Sequence, residues 1–193
     1  MDLWPWYLLY LITVVMLTCH GKAKKVQGKG RRNGGKDAVS PWEFLSSTNI
    51  YLNKTNITLP VKCIKARTVE SSEREETLSH VVSVKFTSGS WYEINATYAP
   101  VNKTRRKPAT AFISVDPGSN VTTIYTFLHT NKYCAVVNKW KRPAEEGLGD
   151  ICELWVNDEY LQRPGRKVQP SCSKKFKQHC KAGFSYDKHE CDC

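Results

Sequence analysis

Ile151-Cys152-Glu153-Leu154-Trp155-Val156-Asn157 is rich in β-branched and aromatic residues, lacks Gly and Pro, and reads as a β-strand. Side chains alternate between the two faces of a strand, so Glu153 and Trp155 share one face and Cys152 takes the other. The run Tyr133–Trp140 behaves alike, with Tyr133, Ala135 and Val137 on one face and Cys134 opposite.

Outward from this pair the period of two recurs at Leu59–Thr68, His80–Thr87, Trp91–Tyr98, Thr110–Val115 and Val121–Leu128. A short piece around Ile50–Leu52 adds an eighth strand. Turn clusters separate them: Ser88-Gly89-Ser90, Ala99-Pro100, Asp116-Pro117-Gly118-Ser119, and Pro143 to Gly149. Evenly spaced short strands with turn chemistry between them predict a mainly β fold, an antiparallel barrel or a sandwich. Ser40 followed by Pro41 is a helix-start signal, predicting a short helix from Pro41 to about Ser47. Ser171–Cys180 reads as a second helix, with Phe176, Cys172 and Cys180 near one face.

Trp91–Tyr98 can be oriented from a single residue. Asn95 opens an N-x-T sequon, and a glycan has to sit outside the protein. Trp91, Glu93 and Thr97 then also face outward, leaving Tyr92, Ile94, Ala96 and Tyr98 on the inner face. Two inward tyrosines need partners for their hydroxyls in a dry core, whereas a ligand cavity uses those hydroxyls. For either one alone, a rim position with the hydroxyl in water is the alternative.

Leu3 to Leu17 is an apolar or aromatic run of 15 residues diluted only by Thr13, too short for a membrane-crossing helix, which needs about 20. It reads as a signal peptide over residues 1–21, cleaved near Gly21, and places the mature protein outside the cell. Residues 22–38 are expected to form a disordered basic tail, with seven bases and no acid between Lys22 and Lys36. Residues 39–193 form one domain, large enough for a core or an internal cavity. Five sequons, at Asn53, Asn56, Asn95, Asn102 and Asn120, support a secreted glycoprotein.

Seven cysteines follow the signal peptide: Cys63, Cys134, Cys152, Cys172, Cys180, Cys191 and Cys193. In an oxidising compartment these are most simply three bridges and one further thiol. Clustered zinc-ligand spacing is missing, so no metal or cofactor is expected. Nucleophile-elbow, zinc-protease, phosphate-loop and dinucleotide motifs are missing too, and the chain is not expected to be an enzyme. The formal net charge of +11 is carried by the tail and by Lys103–Lys107, Lys139–Arg142 and Lys174–Lys177. Such patches attract sulfated glycans, anionic membranes or nucleic acid, although a charge run is more often a solvated face. A secreted protein rarely meets nucleic acid, so no nucleic-acid partner is expected and a sulfated glycan is the better one.

Tyr133-Cys134-Ala135-Val136-Val137, then Cys152-Glu153-Leu154-Trp155-Val156, then Pro170-Ser171-Cys172 with Phe176 and Cys180, resembles the tick salivary lipocalins that include the histamine-binding proteins. The resemblance runs from Trp42 to the C-terminus. It implies an eight-stranded antiparallel lipocalin barrel with a short N-terminal and a C-terminal helix, stapled by disulfides. Cys134 would pair with Cys172, Cys152 with Cys180, and Cys63 with Cys191 or Cys193. It also implies a salivary protein that sequesters a small host mediator such as histamine, serotonin or an eicosanoid, in evasion of host defence.

The implied ligand-lining set is Tyr92, Ile94, Tyr98, Ala135, Glu153 and Trp155, with Trp42 near the closed end. The amine-binding members of that family carry Cys-Asp-aliphatic, then Glu-Leu-Trp/Tyr, then Cys. This chain has Ala135 where the Asp stands, with Glu153-Leu154-Trp155 and Cys172 retained. A buried ammonium needs compensating carboxylates, and Glu153 supplies only one. An apolar ligand with a carboxylate, such as an eicosanoid, suits the rest of the lining. The plain alternative for Glu153 is a surface carboxylate paired with a neighbouring Lys. The rival to small-molecule capture is a glycan- or protein-binding module that acts on host matrix or haemostasis through its basic surface.

Overall fold

The computed structural model describes residues 37–101, 103–104, 108–116, 121–142, 150–162, 168–180, 183–186 and 188–191. The expected signal peptide, the tail up to residue 36, Asn102, Asn120 and Cys193 lie outside the described residues. Asp37, placed in the tail by the sequence reading, gives its carbonyl to the Lys132 amide at 2.8 Å.

Eight long strands form the wall: β1 Asn49–Thr55, β2 Val61–Ser72, β3 Thr77–Phe86, β4 Trp91–Val101, β5 Ala111–Val115, β6 Thr122–Thr130, β7 Cys134–Arg142 and β8 Ile151–Asn157. Each pairs antiparallel with the next, and β1 pairs with both β2 and β8, so the sheet closes into a barrel. That closure decides between the two architectures the period of two left open. β1 gives its first half, Asn49–Tyr51, to β2, and at Lys54–Thr55 it pairs instead with β9, Phe184–Ser185. The turn entering β4 needs a left-handed residue, which Gly89 supplies at φ 91°.

One end of the barrel carries α1, Pro41–Leu45, capped by Ser40 Oγ, which accepts from the Glu43 amide at 3.1 Å. It stops two residues short of the expected end because Ser46 already turns its amide back to Phe44 and Trp42. α2, Asp158–Leu161, leaves β8 without a loop. Asn157 caps it, accepting from the Tyr160 amide at 3.1 Å and donating to the Lys132 carbonyl at 2.8 Å. α3, Val168–Cys180, lies against β7 and β8 outside the barrel, and a short 3-10 turn, Lys188–Cys191, follows.

Two apolar clusters result. The inner one gathers Phe44, Leu45, Ile50, Ala66, Leu78, Tyr98, Phe112, Phe127, Ala135 and Val137. The outer one sits under α3 and holds Tyr133, Cys134, Val136, Cys152, Leu154, Val156, Cys172, Phe176 and Cys180. Phe176, counted with a basic surface patch in the sequence, is buried there. Its ring and the Thr55 carbonyl leave no room for a Cβ at Gly183, whose nearest neighbours would stand at 2.6 and 2.7 Å. Disulfides Cys134–Cys172 and Cys152–Cys180 pin α3 to the wall, and Cys63–Cys191 ties the last turn to β2.

Candidate functional site

Cross-strand register fixes what faces the lumen. Tyr92, Ile94, Ala96 and Tyr98 of β4 stand opposite Val84, Val82, His80 and Leu78 of β3, and these partners share a face. The other β4 face, Trp91, Glu93, Asn95 and Thr97, is exposed. Along the inner face the residues nearest α1 are the most buried. Leu78, His80, Tyr98 and Phe112 are buried near α1, Val82, Val84 and Tyr92 are half-buried, and Ile94 is 38% exposed. Ile94 lies in the part of β4 that runs past β5, whose pairing with β4 is confined to Ala99–Val101. α1 thus closes one end of the barrel, and the inner wall is less buried toward the other.

α1 is held to that closed end by polar contacts as well as by Phe44 and Leu45. Trp42 Nε1 donates to the Thr77 carbonyl at 3.4 Å, and Thr68 Oγ1 donates to the Ser47 carbonyl at 2.7 Å. His80 Nε2 lies 3.0 Å from the Leu45 carbonyl, so that nitrogen carries the proton. Burial, opposed by the Leu45 bond, pushes the His80 pKa down to about 4. The imidazole is neutral, and its Nδ1 has no hydrogen-bond partner among the described residues.

Polar groups meet on the wall formed by β4, β6, β7 and β8. Glu153 is 1% exposed. Its Oε2 accepts from Trp155 Nε1 at 2.8 Å, and its Oε1 lies 3.4 Å from Lys139 Nζ. The same Nζ stands 5.7 Å from the centre of the Tyr125 ring. Tyr125 in turn packs edge-on against Tyr98, centroids 5.3 Å apart, with their hydroxyls hydrogen-bonded. Burial, then the neighbouring Tyr125, raises the Tyr98 pKa well above its usual value. Burial, then Glu153, raises that of Tyr125. Both phenols stay protonated and able to donate. One carboxylate, one ammonium, one indole and two phenols thus satisfy one another beside the apolar and aromatic side chains of the inner cluster.

Of the residues singled out from sequence, Tyr98, Ala135, Glu153 and Trp155 come together here, and Trp42 packs on the same cluster from α1. Tyr92 and Ile94 stand farther along β4 toward the open end. The sequence weighed Glu153 as a surface carboxylate beside a Lys; it has that Lys, but the pair is inside. Lys139, counted there with a surface basic cluster, is the main residue missed. The signal was available, because Ala135, Val137 and Lys139 alternate onto one face. Tyr125, Phe112 and His80 were missed for want of an orienting sequon on their strands.

The sequons differ in setting. Asn95 is exposed on the outer face of β4. The Asn56 amide is spent on the fold, its Oδ1 accepting from the Cys152 amide at 2.8 Å and its Nδ2 donating to the Asp150 carbonyl at 3.1 Å. Asn53 is half-buried on β1. The cysteine pairs are those implied for Cys134 and Cys152, and Cys63 takes Cys191 of its two candidates. Among the described residues, no three His, Cys, Asp or Glu side chains gather as metal ligands, and no helix is long and apolar enough to cross a membrane. An open depression of about 510 Å³ lies away from the lumen on α3, lined by Pro170, Ser173, Lys174, Lys177 and Gln178.

An eight-stranded antiparallel barrel with a helix across one end and another on its flank defines a lipocalin. The sequence profile described as tick histamine binding protein matches residues 40–193, and the chain belongs to that family. Among solved structures, AM182 in its serotonin complex is 18% identical with a TM-score of 0.51, over 84% of this chain and 97% of that one. Japanin from Rhipicephalus appendiculatus, bound to cholesterol, is 12% identical with a TM-score of 0.45, over 76% and 97%. A bovine odorant binding protein variant is 15% identical with a TM-score of 0.41, over 67% and 85%. No curated protein matches this chain.

Proposed function

We propose that the protein is secreted and captures a small amphipathic host mediator in the barrel lumen, stoichiometrically and without turnover. The observation that carries this reading is the gradient of burial along one inner wall, from Leu78 and Tyr98 to the exposed Ile94. An apolar body enters from the end of the barrel opposite α1. Tyr92, Ile94, Tyr98, Ala135 and Trp155 supply the lining, Trp42 closes the far end, and Glu153 belongs to the polar wall. Because Glu153 is already matched by Lys139, the favoured mediator is an acidic or neutral lipid of the eicosanoid type rather than a cationic amine. Membership in the tick family and the serotonin and cholesterol ligands of the similar structures support small-molecule capture in general. Calorimetric titration of the protein with a leukotriene, histamine and serotonin tests it. A one-to-one isotherm with the leukotriene is expected, and heat from none of the three would overturn the reading.

A second reading rests on α3. That helix carries no acid and presents exposed Lys174 and Lys177 beside Ser173 and Gln178 along the open depression. A sulfated glycan of host matrix would match that charge. Retention on heparin to high salt, lost in Lys174→Glu/Lys177→Glu, would support it, and elution at low salt would dismiss it.

A further inference from the structure

We infer that Lys139 is a specificity-determining residue: its own ammonium fills a cation cage in the lumen wall and so keeps cationic amines out. The inference deepens the lumen-binding reading and rests on it for the location of the site. Four observations carry it. Glu153 is 1% exposed, and a buried carboxylate without a cation is unfavourable by several kcal/mol, so something positive has to accompany it. The cation it has is Lys139 Nζ, 3.4 Å from Oε1. That Nζ stands over the Tyr125 ring at 5.7 Å, the placement in which an aromatic face attracts an ammonium. Oε2 is held by Trp155 Nε1 at 2.8 Å, which aims the carboxylate and leaves one oxygen for a cation.

Carboxylate, ring face and orienting indole are what a primary alkylammonium ligand needs, and the Lys139 side chain is itself a primary alkylammonium. It reaches the cage from β7 by lying across the barrel wall: Val137 is the direct partner of Glu153, and Lys139 is one inward position farther along. Being tethered, it competes with any free amine at a high effective concentration. A cationic ligand must expel Lys139 and leave a second ammonium on a half-buried stem, which adds like-charge repulsion to the loss of the pair. A neutral or acidic ligand meets no such competition. The pair thus selects ligand charge while the aliphatic lining selects shape.

Calorimetry with n-propylammonium, which replaces the atoms removed in Lys139→Ala, and with serotonin as a larger primary amine, tests the inference. Wild type, Lys139→Ala, Lys139→Gln and Lys139→Ala/Glu153→Gln are compared. Lys139→Gln keeps a hydrogen bond to Oε1 without the charge, so it reports even where Lys139→Ala fails to fold. Either single variant should bind the amines about tenfold or more tightly than wild type, as expected for one restored charge-assisted bond. The double variant should lose that gain. Wild type binding amines as well as the single variants, or neither single variant gaining, would overturn the inference. A parallel titration of wild type with a fluorescent fatty acid separates the two ideas. No fatty acid binding together with amine gain in Lys139→Gln sinks only the proposed ligand class, whereas fatty acid binding without amine gain sinks only the role of Lys139.

Discussion

The two faces of the β7–β8 pair are one residue apart in sequence and opposite in character. Outward, Cys134, Val136, Leu154 and Val156 are fully buried under α3, sealed by Phe176 and two disulfides. Inward, Ala135 packs beside a polar network of Lys139, Glu153 and Trp155. The outer face has the purely apolar packing of a core, where each lost methylene is felt, while the inner face mixes apolar packing with a buried charged pair. The comparison assigns stability mainly to the outside of the barrel and recognition to the inside.

The largest expected effect tests the outer face. Phe176→Ala should cost about 3–5 kcal/mol, read as a fall in the denaturant midpoint, because the ring is buried between α3 and the β7–β8 wall, against Gly183. A loss below 1 kcal/mol would mean that α3 is ornamental to stability. Next comes the closed end of the inner face. Above pH 6.5, His80 is neutral in both folded and unfolded chains and contributes no pH dependence. Between pH 6.5 and about 4 the unfolded chain takes up a proton that the folded chain refuses, so stability falls as pH falls. The accumulated loss is on the order of 3 kcal/mol by pH 4. Denaturant midpoints at pH 7, 5.5 and 4 should show this slope, and His80→Gln, which still donates to Leu45, should flatten it.

Smaller effects follow on the polar wall. Tyr125→Phe strands the Tyr98 hydroxyl and should cost about 1–2 kcal/mol in the same assay. Ile94→Ala should change stability by under about 1 kcal/mol, since the side chain is already exposed. The same substitution should weaken capture of an apolar ligand severalfold. An Ile94 variant as destabilised as Phe176→Ala would erase the contrast between the faces.

Much of this was legible along the chain. All eight long strands overlap the runs of period two, because a strand that buries one face must alternate whatever its partners are. Asn95 oriented β4 through the need to keep a glycan outside. α2 and β9 were not legible: α2 is four residues hung on the Asn157 cap, and β9 is two residues that pair with β1 only at Lys54–Thr55, beyond the stretch that β1 pairs with β2. The extent of Trp42's burial depended on how deeply α1 sinks into the barrel end, which no local pattern encodes.

By itself the sequence determined strands, their two faces, a cysteine-rich C-terminal segment and the presence of one acid beside a Trp. Tertiary structure alone decided that the sheet closes, that Cys63 takes Cys191, and that Glu153 is matched by a lysine from the adjacent strand. The division has a physical cause. Backbone alternation is a local constraint, written within a few residues, whereas charge pairing in a low-dielectric interior depends on which strands become neighbours and in what register.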